Sequence, residues 1–109
     1  MRTTTHPIQE QFIYITTIGR KTGLLREIEV WFVEREGRLY SLTEEPLRSN
    51  WLRNIIANAN VIVRRGGRRW NAVGRVLDLQ KEGTLCREVQ ELARQKYNWW
   101  SDAIVEFRQ

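Results

Sequence analysis

Thr16-Thr17-Ile18-Gly19-Arg20-Lys21-Thr22-Gly23 separates two runs of apolar and β-branched residues, one from Phe12 to Ile18 and one from Leu24 to Val33. Two such runs joined by a short glycine-bounded stretch read as two strands and a turn, because glycine enters the positive-φ region without steric cost. The tip presents a guanidinium, an ammonium, a hydroxyl and several backbone N–H groups. That set suits a phosphate: Arg20 forks two donors, Lys21 adds a point charge, and the turn amides cradle oxygen. The Gly-x-x-x-x-Gly-Lys-Ser/Thr order of a nucleotide-binding P-loop is absent. Taken alone, the stretch reads first as a solvated basic hairpin tip and only second as an anion site.

Working outward, the chain alternates between strand and helix signals. In the first run, Phe12, Tyr14, Thr16 and Ile18 share one face and Ile13, Ile15 and Thr17 the other. Both faces are largely apolar, which predicts a strand covered on both sides. The second strand is expected over 25–35, with Ile28, Val30 and Phe32 inward and Glu27 and Glu29 outward. Glu36-Gly37 then turns the chain into a third strand over 38–43, completing a meander. Glu44-Glu45-Pro46 breaks the pattern, and Ser49 or Asn50 can cap a short helix with Leu52, Ile55 and Ile56 on one face. Asn58-Ala59-Asn60 ends it. Residues 61–65 predict a fourth strand, Gly66-Gly67 a two-residue turn, and residues 68–79 a fifth strand in which Gly74 marks a bulge or barrel corner. Leu85, Val89, Leu92, Ala93 and Tyr97 repeat at helical spacing within 81–98, and 103–107 alternates as a sixth strand. The expected fold is mainly β with helices (α+β): a small barrel of about six antiparallel strands with two or more helices covering it.

At 109 residues the sequence predicts one domain over 1–109. Its composition, 41% hydrophobic and 28% charged, is that of a folded chain. A formal net charge of +5 favours anionic partners without choosing among nucleic acid, acidic lipid and a phosphorylated ligand. The first residues, 1–10, read as an arm without the apolar core of a secretory signal, and no apolar run reaches membrane-spanning length. These features place the protein in the cytoplasm. Cys86, the single cysteine, falls on the long helix as a core residue. The single histidine, His6, stands apart from any second ligand, so no metal site is expected.

Catalysis by side chains finds no support. Ser41, Ser49 and Ser101 have no base at hand, and Glu27 and Glu29 lie on an outward face. Redox chemistry escapes this objection, because a cofactor carries the reaction while the protein grips and orients. The densest positive patch, Arg64-Arg65-Gly66-Gly67-Arg68-Arg69, places like charges opposite one another across a turn. It reads as a solvated strand end whose partners come from the glutamates of the second strand, or as a nucleic-acid-binding hairpin with Trp70 for stacking. Trp99 and Trp100 could anchor an interface in a non-catalytic interaction module.

The residues that open this section also carry a resemblance. Thr16 to Gly23, followed by Arg26, resembles the Thr-Thr-x-Gly-Arg-Lys-Thr-Gly…Arg hallmark of the deazaflavin-dependent nitroreductases, relatives of the flavin-binding split β-barrels. Asn50-Trp51-Leu52-Arg53-Asn54 with Ala57-Asn58-Ala59-Asn60-Val61 is similar to a second segment of that family. Together they span most of the chain, from Phe12 to Val76. The resemblance implies a split β-barrel that grips the reduced deazaflavin coenzyme F-420, with FMN as the alternative, and passes a hydride to an electron-poor nitroaromatic, quinone or enone. It implies that Arg20, Lys21, Thr22 and Gly23 hold phosphate, that Arg26 holds phosphate or a tail carboxylate, and that Asn50 and Trp51 close the pocket. No catalytic residue is assigned, and the proton could come from Tyr14, Tyr40 or solvent. Glu44 and Glu45 stand where the family carries a small glycine-rich stretch, and like charge there would weaken an anionic tail. A homodimer is also implied.

Overall fold

The structure is a computed structural model that describes residues 10–43 and 50–109. The expectations placed on His6, Glu44, Glu45 and Ser49 lie outside the described residues. The first strand forms as its alternation dictates: β1 (Phe12–Ile18) pairs antiparallel with β2 (Leu25–Trp31), Ile18 opposite Leu25 and Phe12 opposite Trp31. The strand expected over 25–35 breaks at Phe32, and β3 (Val33–Arg35) pairs instead with β4 (Arg38–Thr43). Helix α1 (Asn50–Ala57) follows, then β5 (Asn60–Arg65), β6 (Arg68–Val76), α2 (Gly83–Tyr97) and β7 (Ala103–Arg108).

The described strands all belong to one antiparallel sheet in the order β2-β1-β5-β6-β7-β4-β3. The two edge strands, β2 and β3, are consecutive in sequence with Phe32 between them. A sheet whose edges are joined through one residue must curl on itself, so Phe32 is the seam of a barrel-like fold. That seam is pinned by groups far away in sequence. The Phe32 N–H donates to the Tyr97 hydroxyl at 3.0 Å, and its carbonyl accepts from Lys96 Nζ at 2.9 Å. The barrel of about six antiparallel strands is found with seven among the described residues, and the meander is corrected: β4 does not pair with β2, and the second strand is two strands on opposite edges.

The apolar residues divide into two clusters. Ile13, Ile15, Val63, Val105 and Phe107 fill the interior, and Leu52 and Ile55 of α1 close one end. Val33, Tyr40, Ile104 and Leu77 pack on the outer face against Cys86, Val89 and Ala93 of α2. The strand buried on both faces is therefore β7, whereas the outward face of β1 runs from exposed Phe12 to half-buried Ile18. Within β7 the sequence places Glu106, whose side chain is fully buried. It accepts from the Tyr40 hydroxyl at 3.0 Å and from Arg108 Nε at 3.1 Å, with Arg75 Nη2 at 3.3 Å. Burial pushes its carboxyl up, but the Tyr40 bond and the charges of Arg75 and Arg108 outweigh that and hold it below the ordinary range.

Two further expectations are corrected. Ile56 is 68% exposed while Asn54 is buried. At about 100° per residue, the buried arc of α1 is centred between Trp51 and Ile55, and Ile56 falls well outside it. Gly74 marks the close approach of that helix, and β6 ends at Val76. A Cβ at Gly74 would meet Ile55 Cγ2 at 3.0 Å.

Candidate functional site

The turn between β1 and β2 is shaped by its own backbone. Gly19 N–H donates to the Leu24 carbonyl and Gly23 N–H to the Gly19 carbonyl, each at 2.8 Å. Gly23 takes φ +71°, and the Leu24 N–H reaches Thr22 Oγ1 at 3.2 Å. Gly19 is favoured for a different reason: a Cβ there would lie 2.7 Å from Thr22 Oγ1, so the threonine side chain would have to move.

Across from this turn stands the N-terminal half of α1. Between them lies a cleft of about 390 Å³ lined by Arg20, Lys21, Thr22, Arg26, Asn50 and Asn54. Most of the residues expected to hold an anion are thus brought together. Gly23 shapes the turn from outside the lining, and Trp51 faces a different cleft. Among the described residues no carboxylate lines this space, and none lies within ion-pairing distance of Arg20, Lys21 or Arg26. A concave, open site with three cations and uncommitted donors fits a phosphate group.

Asn54 is the residue that the sequence reading left out of the site. It is 6% exposed, and its Oδ1 accepts from Arg20 Nη1 at 2.8 Å and from the Arg20 backbone N–H at 3.2 Å. Its signal was a polar residue on the apolar side of a short helix.

On the other side of the first turn of α1 is a second cleft, of about 400 Å³, lined by Glu29, Val30, Trp31, Leu42, Thr43, Trp51 and Trp99. Trp31 lies flat on Tyr97, with ring centroids 4.3 Å apart and planes within 4°, and Trp99 meets Trp31 edge-on at 5.9 Å. Such packing fixes the orientation of broad apolar walls. Adjacent residues, Asn50 and Trp51, therefore serve a polar cleft and an apolar one.

The proton-donor candidates separate clearly. The Tyr40 hydroxyl is buried and given to Glu106; burial and that carboxylate push its pKa up, so it is no donor for a surface cleft. Tyr14 is on the outer face, its hydroxyl 3.3 Å from Glu29 and its ring beneath the Arg64 guanidinium at 4.0 Å. Burial raises the Cys86 thiol, the form expected of a core residue.

The second basic turn is built differently. Arg64 forks Glu27 with bonds of 2.9 and 3.1 Å, and Arg65 is held by Glu10 at 2.9 Å and Glu34 at 3.0 Å. Both arginines are committed, as the outward glutamates predicted. Among the described residues no group of His, Cys, Asp or Glu is placed to hold a metal, and no helix is long and apolar enough to cross a membrane.

Comparison with known proteins adds a family to this geometry. The model of the F420H(2)-dependent quinone reductase family matches residues 2–105. No curated protein matches the sequence. Among solved structures, one described as an F420-H2 dependent reductase (FDR-A) superposes with a TM-score of 0.73 at 19% identity, covering 96% of this chain and 100% of that one. A protein solved as a domain-swapped dimer gives 0.70 at 19% identity, covering 96% and 84%. HutZ, a heme storage protein of Vibrio cholerae, gives 0.70 at 13% identity, covering 90% and 80%. At such identities these structures establish a shared fold.

Proposed function

The chain belongs to the F420H(2)-dependent quinone reductase family, and from that membership we propose that the cleft between the Gly19–Gly23 turn and α1 holds the coenzyme phosphate. The protein is an oxidoreductase that uses the deazaflavin coenzyme F420. The observation that carries the assignment is the cluster of Arg20, Lys21 and Arg26 around a cleft that no carboxylate lines among the described residues. Arg20 and Lys21 bind the phosphate, Thr22 and the turn amides add neutral donors, and Arg26 takes phosphate or a tail carboxylate. Asn50 closes the polar side. The Trp31–Trp51–Trp99 cleft receives the flat ring and a planar, electron-poor acceptor, a quinone before a nitroaromatic or enone.

When bound, the reduced coenzyme supplies a hydride from its ring. The protein's part is to bind the anionic tail, orient the ring edge and exclude water with indole walls. Reduction of the acceptor also takes a proton. Solvent delivers it at the open mouth of the cleft, since Tyr40 is buried and Tyr14 is engaged by Glu29.

We take 1–109 as a single cofactor-binding unit that works in the cytoplasm, where the reduced coenzyme is supplied, and that pairs as a homodimer. The dimer is supported by the outward sheet face beside the turn, where Leu25 is two-thirds exposed and Val73 about half. A monomeric mass at micromolar concentration overturns it.

The test of function is a titration with the coenzyme and with FMN, followed by tryptophan fluorescence, then oxidation of the reduced coenzyme by a soluble quinone. Saturable quenching by the deazaflavin, with turnover, is the expected result. Binding of FMN alone moves the protein to flavin chemistry, and binding of neither overturns the assignment.

A further inference from the structure

Arg20 is held by an acceptor that carries no charge. Asn54 takes both the backbone N–H and one guanidinium N–H of Arg20, while its Nδ2 donates to Thr17 Oγ1 at 3.4 Å. Thr17 is 1% exposed and belongs to β1. One buried carboxamide therefore ties together the end of β1, the turn and α1. The bonds within the turn set its shape; those of Asn54 set its place against the helix.

The choice of amide has an electrostatic consequence. A guanidinium carries five N–H donors in one plane. Fixing Nη1 fixes that plane and leaves the other donors for a ligand. A carboxylate would fix it equally well but would cancel the charge, as Glu27 does for Arg64 on the other turn. The amide holds the cation and leaves its field intact.

We propose that Asn54 is a positioning residue that preorganises Arg20 for the coenzyme phosphate without neutralising it. The inference rests on the assignment of phosphate to this turn. It makes two demands that a merely structural asparagine does not. Replacement by the isosteric acid keeps the clamp yet removes the net charge offered to the ligand. Replacement by alanine acts chiefly through Arg20.

The experiment measures coenzyme affinity and steady-state kinetics for Asn54→Asp, Asn54→Ala, Arg20→Ala and the Asn54→Ala/Arg20→Ala pair, with thermal unfolding of each coenzyme-free protein. Asn54→Ala is expected to weaken affinity about tenfold, and only about twofold in the Arg20→Ala background, because the two groups act as one unit. Asn54→Asp is expected to unfold at the wild-type temperature or above, yet to lose affinity at least as much as Asn54→Ala. Its KM should rise while kcat at saturation stays within about twofold, since the clamp acts on binding of the tail. Asn54→Asp binding like wild type, or additive effects in the double variant, overturns the proposal alone. Failure of the wild type to bind the coenzyme overturns the phosphate assignment and the role of Asn54 with it. Non-additive unfolding temperatures of the coenzyme-free Asn54→Ala and Arg20→Ala variants support the clamp independently of any ligand.

Discussion

The two basic turns, Gly19–Gly23 and Gly66–Gly67, invert what their sequences suggest. The second carries four arginines in six residues, the first one arginine and one lysine. Yet Arg64 and Arg65 are tied to Glu27, Glu10 and Glu34, so half of that hairpin's arginines are compensated by carboxylates, and Arg68 lies over the Trp70 ring. At the first turn the partner of Arg20 is an amide, and no described carboxylate lines the cleft that Lys21 and Arg26 share with it. Density of positive residues is therefore a poor guide to an anion site. What matters is whether the fold brings carboxylates to them. It does so for the hairpin because Glu27 of β2 and Arg64 of β5 flank β1 on the same outward face, Glu27 opposite Thr16 and Arg64 opposite Tyr14.

The comparison extends to a third cluster, where the carboxylate itself is buried and the arginines reach it from the surface. Arg75 and Arg108 converge on Glu106, which has no exposed surface. Removing such a carboxylate leaves the Tyr40 hydroxyl without its partner and the arginines facing one another. Glu106→Ala is expected to lower unfolding free energy by about 3 kcal/mol, the largest effect predicted for this molecule, measured by urea denaturation. Coenzyme affinity of the folded fraction should stay at the wild-type value. The stabilisation has a defined pH dependence. The folded carboxyl lies below its unfolded value, so the contribution is present above roughly pH 4.3 and lost as pH falls through the folded pKa. Glu106→Gln should flatten acid unfolding in that range.

Uncompensated cations should act on binding instead. Arg20→Ala is expected to weaken coenzyme affinity roughly 10- to 100-fold, the equivalent of one charge-assisted hydrogen bond. Lys21→Ala and Arg26→Ala should follow in the same direction. Unfolding free energy should change by less than about 0.5 kcal/mol for Lys21→Ala, an exposed position. The value of kcat at saturating coenzyme should be little affected, because these groups hold the tail and not the reacting carbon. Fluorescence titration and steady-state kinetics separate the two. Lys21→Ala binding like wild type would break the comparison at its centre.

How far the sequence could be read follows the same division between local and distant causes. The turn, the hairpin at Gly66-Gly67, α2 and β7 are written in periodicity and turn chemistry, and their bounds fall close to those expected. The seam at Phe32 was not legible, because the alternation Ile28, Val30, Phe32 continues through it. The break is imposed by Lys96 and Tyr97, more than sixty residues away in the chain. Asn54 was legible as the end of the second family-like segment and as a polar residue among Leu52 and Ile55, but its role was not; its partner lies 34 residues earlier. Glu106, a charge within Ala103-Ile104-Val105-Glu106-Phe107, was open to the same suspicion. In the candidate site, Arg20, Lys21, Thr22, Arg26 and Asn50 share a cleft, while the separation of Trp51 into an aromatic cleft depended on how β2, β4 and α2 meet.

The committed hairpin gives the next prediction. Arg65 joins two carboxylates at the edge of the barrel, each at about half exposure. Arg65→Ala is expected to cost about 1 kcal/mol of stability and to leave coenzyme affinity unchanged. Loss of affinity there, with Lys21→Ala unaffected, would transfer the anion site to the Gly66-Gly67 turn.

The smallest effect is the most diagnostic of why the turns differ. The hydrogen bond from Arg64 holds the Glu27 carboxyl below the ordinary range against the opposing effect of desolvation, with the charges of Arg64 and Arg69 acting in the same sense as the bond. The pair is exposed, so its stabilisation is slight and screened by salt. Its sign is nonetheless fixed. A depressed folded pKa means that stabilisation is present above roughly pH 4.3 and fades as pH falls through the folded value. Glu27→Gln should therefore melt slightly below the wild type at pH 7 in low salt, and the gap should close near pH 3 or in high salt. At the other turn the acceptor for Arg20 is an amide, which does not titrate. The gap between the wild type and Asn54→Ala should therefore be the same at pH 7 and near pH 3, and indifferent to salt. Thermal unfolding of the coenzyme-free proteins across that range measures both gaps at once. If the Asn54→Ala gap closes in acid as the Glu27→Gln gap does, a carboxylate completes the Arg20 site. Both basic turns would then be compensated, and the distinction between them would fall.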